Sequence, residues 1–393
     1  MLVPKLRFKE FTGENNVYII EDVFTNKTKS FNPSKEKEKY KCIELEHIIQ
    51  NSGLLNGFTY SDNQLSTKNF FISNSVLFGK LRPYLKKYYF PNFDGVCSSE
   101  IWVLNSLNNK TLLNNYLYYY IQTNYFMTLA NHSTGSKMPR ADWGYIKYNA
   151  INLPSIKEQE KIAKLFTLLD KLIELQQRKI EALKLYNKGT INLLITNLSD
   201  YKIAKLSELG HSYSGLTGKS KEDFDNGESK YIPYMSVFKN SVSEQTFLNV
   251  KININEKQNK VLNKDLFFTV SSETKEEVGM CSTINEEYPS LYLNSFCFGF
   301  RINNLNIINN NYLCCLLLSS EYRKIISNLG QGFTRVNLSK INLLKIEIKY
   351  PQINMQELIA SFVTENTKNI NLNNDKLNKM IIIKKGLLQQ MFV

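Results

Sequence analysis

The chain has 393 residues, 42% of them hydrophobic and 22% charged, which suits two or three soluble domains and argues against disorder. Its longest apolar stretches, such as Leu313–Leu318, are too short to cross a bilayer, and the N-terminus lacks the apolar core of a signal peptide, so a cytoplasmic location is expected. Lys and Arg total 49 against 36 acids, leaving +13 at pH 7; a polyanion is the expected partner, and an anionic membrane surface comes second.

In chain order, aromatic and β-branched runs between Asn, Ser and Gly turns predict short strands, the first over Phe70–Phe78. Lys80, Arg82, Lys86 and Lys87 follow within eight residues that hold no acid, interleaved with Tyr84, Tyr88 and Tyr89. That run suits phosphate contacts with aromatic backing; the bland alternative is a solvated loop. A helix is predicted over Asn115–Leu129, then a Gly- and hydroxyl-containing loop, Ser133–Arg140, in which Ser136, Lys137 and Arg140 are candidates for DNA contact. Pro154 and Ser155 punctuate the start of a long helix, with Glu158 and Glu160 in its first turn, where they favour the dipole. Apolar residues then recur at heptad spacing through Ile162, Phe166, Leu169, Ile173, Ile180 and Leu183, with Gln176 as a polar interruption.

The second half has the same order. Strands are predicted over Leu266–Val270 and Ser295–Ile302, and Ser272, Thr274 and Lys275 lie on a polar loop after the first of these that is a candidate for base reading. A helix over Asn311–Ser327 is followed by a loop with Gln331, Thr334, Arg335 and Asn337, residue types that suit phosphates and major-groove edges. A second heptad seam runs through Ile359, Val363, Ile370, Leu377 and Met380, and Asn373 falls where Gln176 falls in the first. An amide at the same core position of both helices is the pattern that specifies register. The alternative is two amphipathic helices packed on their own domains.

The halves are copies. PSIKEQEKIA at 154–163 and PQINMQELIA at 351–360 lie 197 residues apart, with Pro154, Ile156, Gln159, Glu160, Ile162 and Ala163 identical in the second copy. Asn115-Tyr116-Leu117 matches Asn311-Tyr312-Leu313, and the Gly135–Arg140 loop is aligned with Gly330–Arg335. The expected class is therefore α+β: a globule over 1–153, a long helix over 154–198, a second globule over 199–350 and a second long helix over 351–393, with one long helix pairing with the other.

Motifs for chemistry are missing. No phosphate-binding Gly loop, no GxGxxG and no Asn-Pro-Pro-aromatic tetrapeptide appears, and the three histidines and six cysteines have no metal-ligand spacing; the thiols read as buried and reduced.

Two variable globules, each followed by Pro-x-x-x-x-Gln-Glu-x-Ile-Ala at Pro154 and Pro351, resemble the specificity subunit of type I restriction–modification systems over the whole chain. The resemblance implies a non-catalytic DNA-binding subunit. Each globule would read one half of a split, asymmetric site in double-stranded DNA, and the two long helices, paired as an antiparallel coiled coil, would set their separation. The implied partners are methyltransferase subunits, two of them, and restriction or translocase subunits, with no membrane. S-adenosylmethionine, ATP and Mg belong to those partners and no cofactor to this chain. Asn366-Thr367 stands where the first copy has Leu169-Asp170, which weakens the second apolar seam there. The rival readings are a coiled-coil adaptor with no DNA role and a self-contained DNA-modifying enzyme.

Overall fold

A computed structural model describes residues 3–132, 138–198, 200–239, 241, 247–253, 255–332 and 334–392. They form two compact units, Met1–Gln177 with Asp375–Val393, and Arg178–Asn374. Each unit therefore holds one globule, part of the first long helix, Ile156–Thr196, and part of the second, Ile353–Met391.

In the first unit, Asn16–Ile19 pairs antiparallel with Ala150–Leu153 beneath the start of the first long helix. A four-stranded sheet follows in the order Phe24–Thr25, Ile101–Ser106, Val76–Gly79, Tyr88–Tyr89. Val76–Gly79 is buried throughout, so it shows a continuous apolar run and no alternation. A five-stranded sheet carries one parallel pair, Lys41–Ile43 beside Gly95–Cys97. The strand expected over Phe70–Phe78 is two strands, Lys68–Phe71 and Val76–Gly79. Asn74, in the left-handed region at φ 65°, turns the chain between them.

The second unit repeats the scheme. Lys202–Lys205 pairs with Glu347–Tyr350, and a four-stranded sheet runs Gly210–Ser214, Cys297–Ile302, Leu266–Thr269, Cys281–Thr283. Lys230–Ile232 beside Leu291–Leu293 is the parallel pair here. Lys264, like Asn74, has positive φ just before the buried central strand.

Both single helices expected before the Gly loops are broken in two. The helix Asn114–Tyr120 ends at Ile121, and Thr123 caps the next, Asn124–Asn131, by accepting from Phe126 N. Ser319 both ends Asn310–Leu318 and caps Ser320–Asn328, accepting from Tyr322 N. A side-chain hydroxyl that satisfies a free N–H makes a new start as good as continuation.

The long helices pack antiparallel within each unit. In the first, Ile162 and Phe166 share a core with Leu388, Met391 and Phe392 from the end of the second long helix, and Leu169 packs against it. In the second, Ile359 and Val363 share a core with Ile195 from the end of the first. Of the remaining seam residues Gln176, Ile180, Ile370 and Asn373 are buried, whereas Ile173, Leu183, Leu377 and Met380 are half-buried.

The repeated Gln is a structural clamp. Gln159, fully buried, accepts from Leu113 N at 3.0 Å and donates to the carbonyls of Thr111 at 2.9 Å and Pro154 at 3.0 Å. Gln356 accepts from Asn309 N at 2.8 Å and donates to Ile307 at 2.9 Å and Pro351 at 2.8 Å. One amide thus ties the start of each long helix to the loop that opens the preceding helix pair, which is why Pro and Gln recur together.

The copies diverge along the seam. Lys384 bonds Asp170 at 2.6 Å and Gln122 at 3.2 Å. Among the described residues, Asn187 and Thr367, at the equivalent places of the second unit, make no such link. Buried Asn187 Oδ1 and Asn366 Nδ2 have no partner among the described residues. Glu158 is fully buried and carries a two-point ion pair from Arg7, at 2.6 and 2.7 Å, whereas its counterpart Met355 is exposed.

Candidate nucleic-acid interface

In each globule the structure brings the two sequence-predicted loops side by side. Leu81 bridges Arg140, with Arg82 N donating to Pro139 O at 2.8 Å and Ala141 N to Lys80 O at 2.9 Å. In the second globule Ser271 and Ser272 pair with Asn337 and Val336, and Gly330–Gln331 adds a third strand. Leu338 N donates to Val270 O at 2.8 Å, as Ala141 N does to Lys80 O. Asp142 and Ser339 then cap equivalent short helices. The structural counterpart of Arg140 is therefore Asn337; the alignment of Arg140 with Arg335 is off by two residues, because gaps in these loops shift the repeat.

The basic run of the first globule forms one 3-10 turn, Pro83–Leu85, flanked by Arg82 at φ 52° and Lys86 at φ 50°. Neither residue suits a left-handed backbone, so packing holds the turn. Backbone bonds from Leu85 N to Arg82 O and from Asn51 N to Lys86 O do so. Among the described residues, the side-chain charges of Lys80, Arg82 and Lys86 have no hydrogen bond or ion pair, and Tyr84 is 52% exposed beside them.

Two other candidates are committed elsewhere. Lys87 donates to Leu45 O at 2.5 Å, which corrects its reading as a phosphate contact. Arg140 forks onto Glu100 at 3.0 to 3.2 Å, and that hydrogen-bonded carboxylate raises the guanidinium pKa, so its charge is already answered. Ser136 and Lys137 lie outside the described residues.

In the second globule Thr274, Lys275, Gln331, Thr334, Arg335 and Asn337 are all exposed. Ser272 is buried and donates to Thr274 O at 2.6 Å; its hydroxyl shapes the loop and is not a base contact. The loop glycines have a steric reason to be there. At Gly332, φ 117°, a Cβ would lie 2.1 Å from Arg335 O, and at Gly330 2.6 Å from Val336 Cγ1.

Sequence reasoning missed a hollow of about 400 Å³ beside this face, walled by Tyr234, Phe238, Phe296, Glu273, Glu277 and Arg335 among others. The four-residue spacings of Tyr234 with Phe238 and Glu273 with Glu277 were the available signal. Among the described residues no His, Cys, Asp and Glu group is arranged to hold a metal ion, and no helix is long and apolar enough to cross a membrane. All six cysteines are free and buried, and burial pushes the thiols of Cys42 and Cys297 up to about 11 and about 12.

The model of the type I restriction modification DNA specificity domain matches residues 13–185 and again 198–381, one copy per half of the chain. The chain belongs to this family. The specificity subunit of the type I restriction enzyme MjaVIII from Methanocaldococcus jannaschii is 26% identical over 286 residues, covering 68% of this chain and 66% of the relative. That of the Escherichia coli enzyme EcoDI is 26% identical over 30% of this chain and 26% of its own length. The chain thus spans just under two thirds of the first relative and about a quarter of the second.

Among solved structures, the S subunit of a type I restriction–modification system from M. genitalium superposes with a TM-score of 0.56 at 15% identity, over 100% of this chain and 99% of that one. A chain from a study of complex assembly and conformational transition in the type I system gives 0.61 at 14% identity, over 95% and 96%. At such identities these specificity-family likenesses are likenesses of fold.

Proposed function

We propose that this chain is the sequence-reading, non-catalytic subunit of a type I restriction–modification complex, and that it reads two unlike halves of a split site in double-stranded DNA. The observation that carries the reading is the repeated face: in both family-matched halves the same backbone pairing, Ala141 N to Lys80 O and Leu338 N to Val270 O, juxtaposes the same two loops. The side chains on those faces differ. Lys80, Arg82 and Lys86 mark one, and Thr274, Lys275, Gln331, Arg335 and Asn337 the other, so the half-sites should differ too. The net charge of +13 supports a polyanion.

The partners in this reading are methyltransferase subunits, two of them, and restriction or translocase subunits, in the cytoplasm. S-adenosylmethionine, ATP and Mg act in those partners. Apolar surface on the long helices supports docking: Leu168, Leu172 and Leu175 are 51 to 52% exposed on one stripe, and Leu358 and Leu372 are 62 and 69% exposed.

The test is a genome-wide map of methylated adenines with and without this gene, and with residues 1–153 exchanged for those of a relative. One bipartite motif should disappear with the gene, and the exchange should alter one half of it. A map unchanged by deletion refutes the reading, and an exchange that changes both halves or neither refutes independent heads.

A further inference from the structure

We propose that the hollow in the second globule is a base-reading pocket for an exocyclic amino group, cytosine N4 or adenine N6, with Glu273 and Glu277 as acceptors. The proposal rests on the DNA-reading role above and names the chemistry that one head recognises.

The hollow is built. Tyr234 and Phe238 stack at 5.8 Å with their planes 17° apart, and Tyr234 Oη donates to Ser271 O at 2.6 Å, which fixes an aromatic wall against the hairpin face. Phe296 stands at the rim, 58% exposed. Its volume of about 400 Å³ is that of a small-ligand site. Three charged groups line it, Glu273, Glu277 and Arg335, and none has a hydrogen bond or ion pair among the described residues.

The same place in the first globule is chemically opposite. Lys80 N donates to Glu100 O at 2.9 Å as Val270 N donates to Phe296 O at 3.0 Å, so Phe296 replaces Glu100. Gly79 N donates to Lys87 O at 2.8 Å as Thr269 N donates to Met280 O at 3.1 Å, so Met280 stands where Lys87 does, and Glu273 and Glu277 lie on a connecting loop three residues longer than its counterpart. Where the first head carries Glu100, already neutralised by Arg140, the second carries Phe296 and, on the longer loop, two acids with no ion pair among the described residues.

Carboxylates on a DNA-facing surface are repelled by phosphates and gain only where they meet donors. In the major groove the donors are the amino groups of cytosine and adenine, and Glu accepting from cytosine N4 is an established pairing. Arg335, across the hollow, offsets part of the repulsion and is free to contact a phosphate or a neighbouring acceptor.

The test selects duplexes with a randomised core on the full-length chain, then measures affinity for the selected duplex. Single duplexes replace each adenine by purine or each cytosine by 2-pyrimidinone, both without the amino group. Wild type should lose about tenfold or more in affinity at one position of the half-site read by the second globule, the adenine or cytosine series naming the base. Glu273→Ala with Glu277→Ala should lose preference at that position, be indifferent to the analogue there, and leave the other half-site intact.

Neither Glu has a partner to lose, so folding should persist; Glu277→Gln alone, weakened in the same place, is the second variant. A double variant with the wild-type motif and the wild-type analogue penalty overturns the pocket while DNA reading stands. Selection of no motif by the wild type overturns both.

Discussion

Replacing Gln159 by Met keeps side-chain volume and removes all three hydrogen bonds of the clamp, those with Leu113 N, Thr111 O and Pro154 O. The site is sealed, since Gln159 is fully buried, so water cannot substitute. One buried N–H and two carbonyls left unpaired cost about 1–3 kcal/mol each at most, the carbonyls less than the N–H, for a sum of roughly 3–5 kcal/mol. A domain is stable by about 5–15 kcal/mol, so the loss is a large fraction of it.

Both tryptophans, Trp102 and Trp143, lie in the first unit, so their fluorescence during urea unfolding reports that unit. With a denaturant slope of about 2 kcal/mol/M, the midpoint should fall by roughly 1.5–2.5 M. Gln356→Met should cost the second unit a similar amount, seen by circular dichroism. Gln159→Glu keeps the acceptor but sets a carboxylate against two carbonyls, so the folded protein must hold it protonated. Its folded pKa then exceeds the unfolded value of about 4.3. The variant should be most stable at low pH and lose stability as pH rises above that value, while Gln159→Met should show no such added slope. A midpoint shift of less than about 0.5 M for Gln159→Met would refute the clamp.

Three further outcomes are expected. Arg82→Ala and Lys86→Ala should each weaken binding to every duplex and reduce the salt slope by about 0.9, whereas Lys87→Ala, committed to Leu45 O, should leave the slope unchanged and lower thermal stability instead. Asn366→Leu should stabilise the second unit by about 1 kcal/mol in urea titration, because it removes a buried amide nitrogen with no partner among the described residues; a loss of stability would refute that reading. The six cysteines should react with a chromogenic thiol reagent at pH 8 only on unfolding, since they are buried and Cys42 and Cys297 ionise near pH 11 and 12; rapid labelling of the native protein would contradict that burial.

The two-copy plan, the long helices and the seam were legible in the chain, because heptad spacing and a 197-residue repeat are local or self-comparing signals. Ile162, Phe166, Ile359 and Val363 needed only helical periodicity to be placed in a core. Which cations remain free did not follow from the chain. Lys86 and Lys87 are neighbours of one type, yet only Lys87 meets a carbonyl, from Leu45, 42 residues away. Arg140 is answered by Glu100, 40 residues away, and the hollow is assembled from a short helix, a strand end and two loops scattered between 234 and 335. The repeat showed that Gln159 recurs but not why, since its partners lie on a loop 46 to 48 residues upstream. Such long-range pairings depend on how strands pair and loops close, and composition and periodicity carry no information about them; only the tertiary structure decided which charges were spent within the fold and which were left exposed.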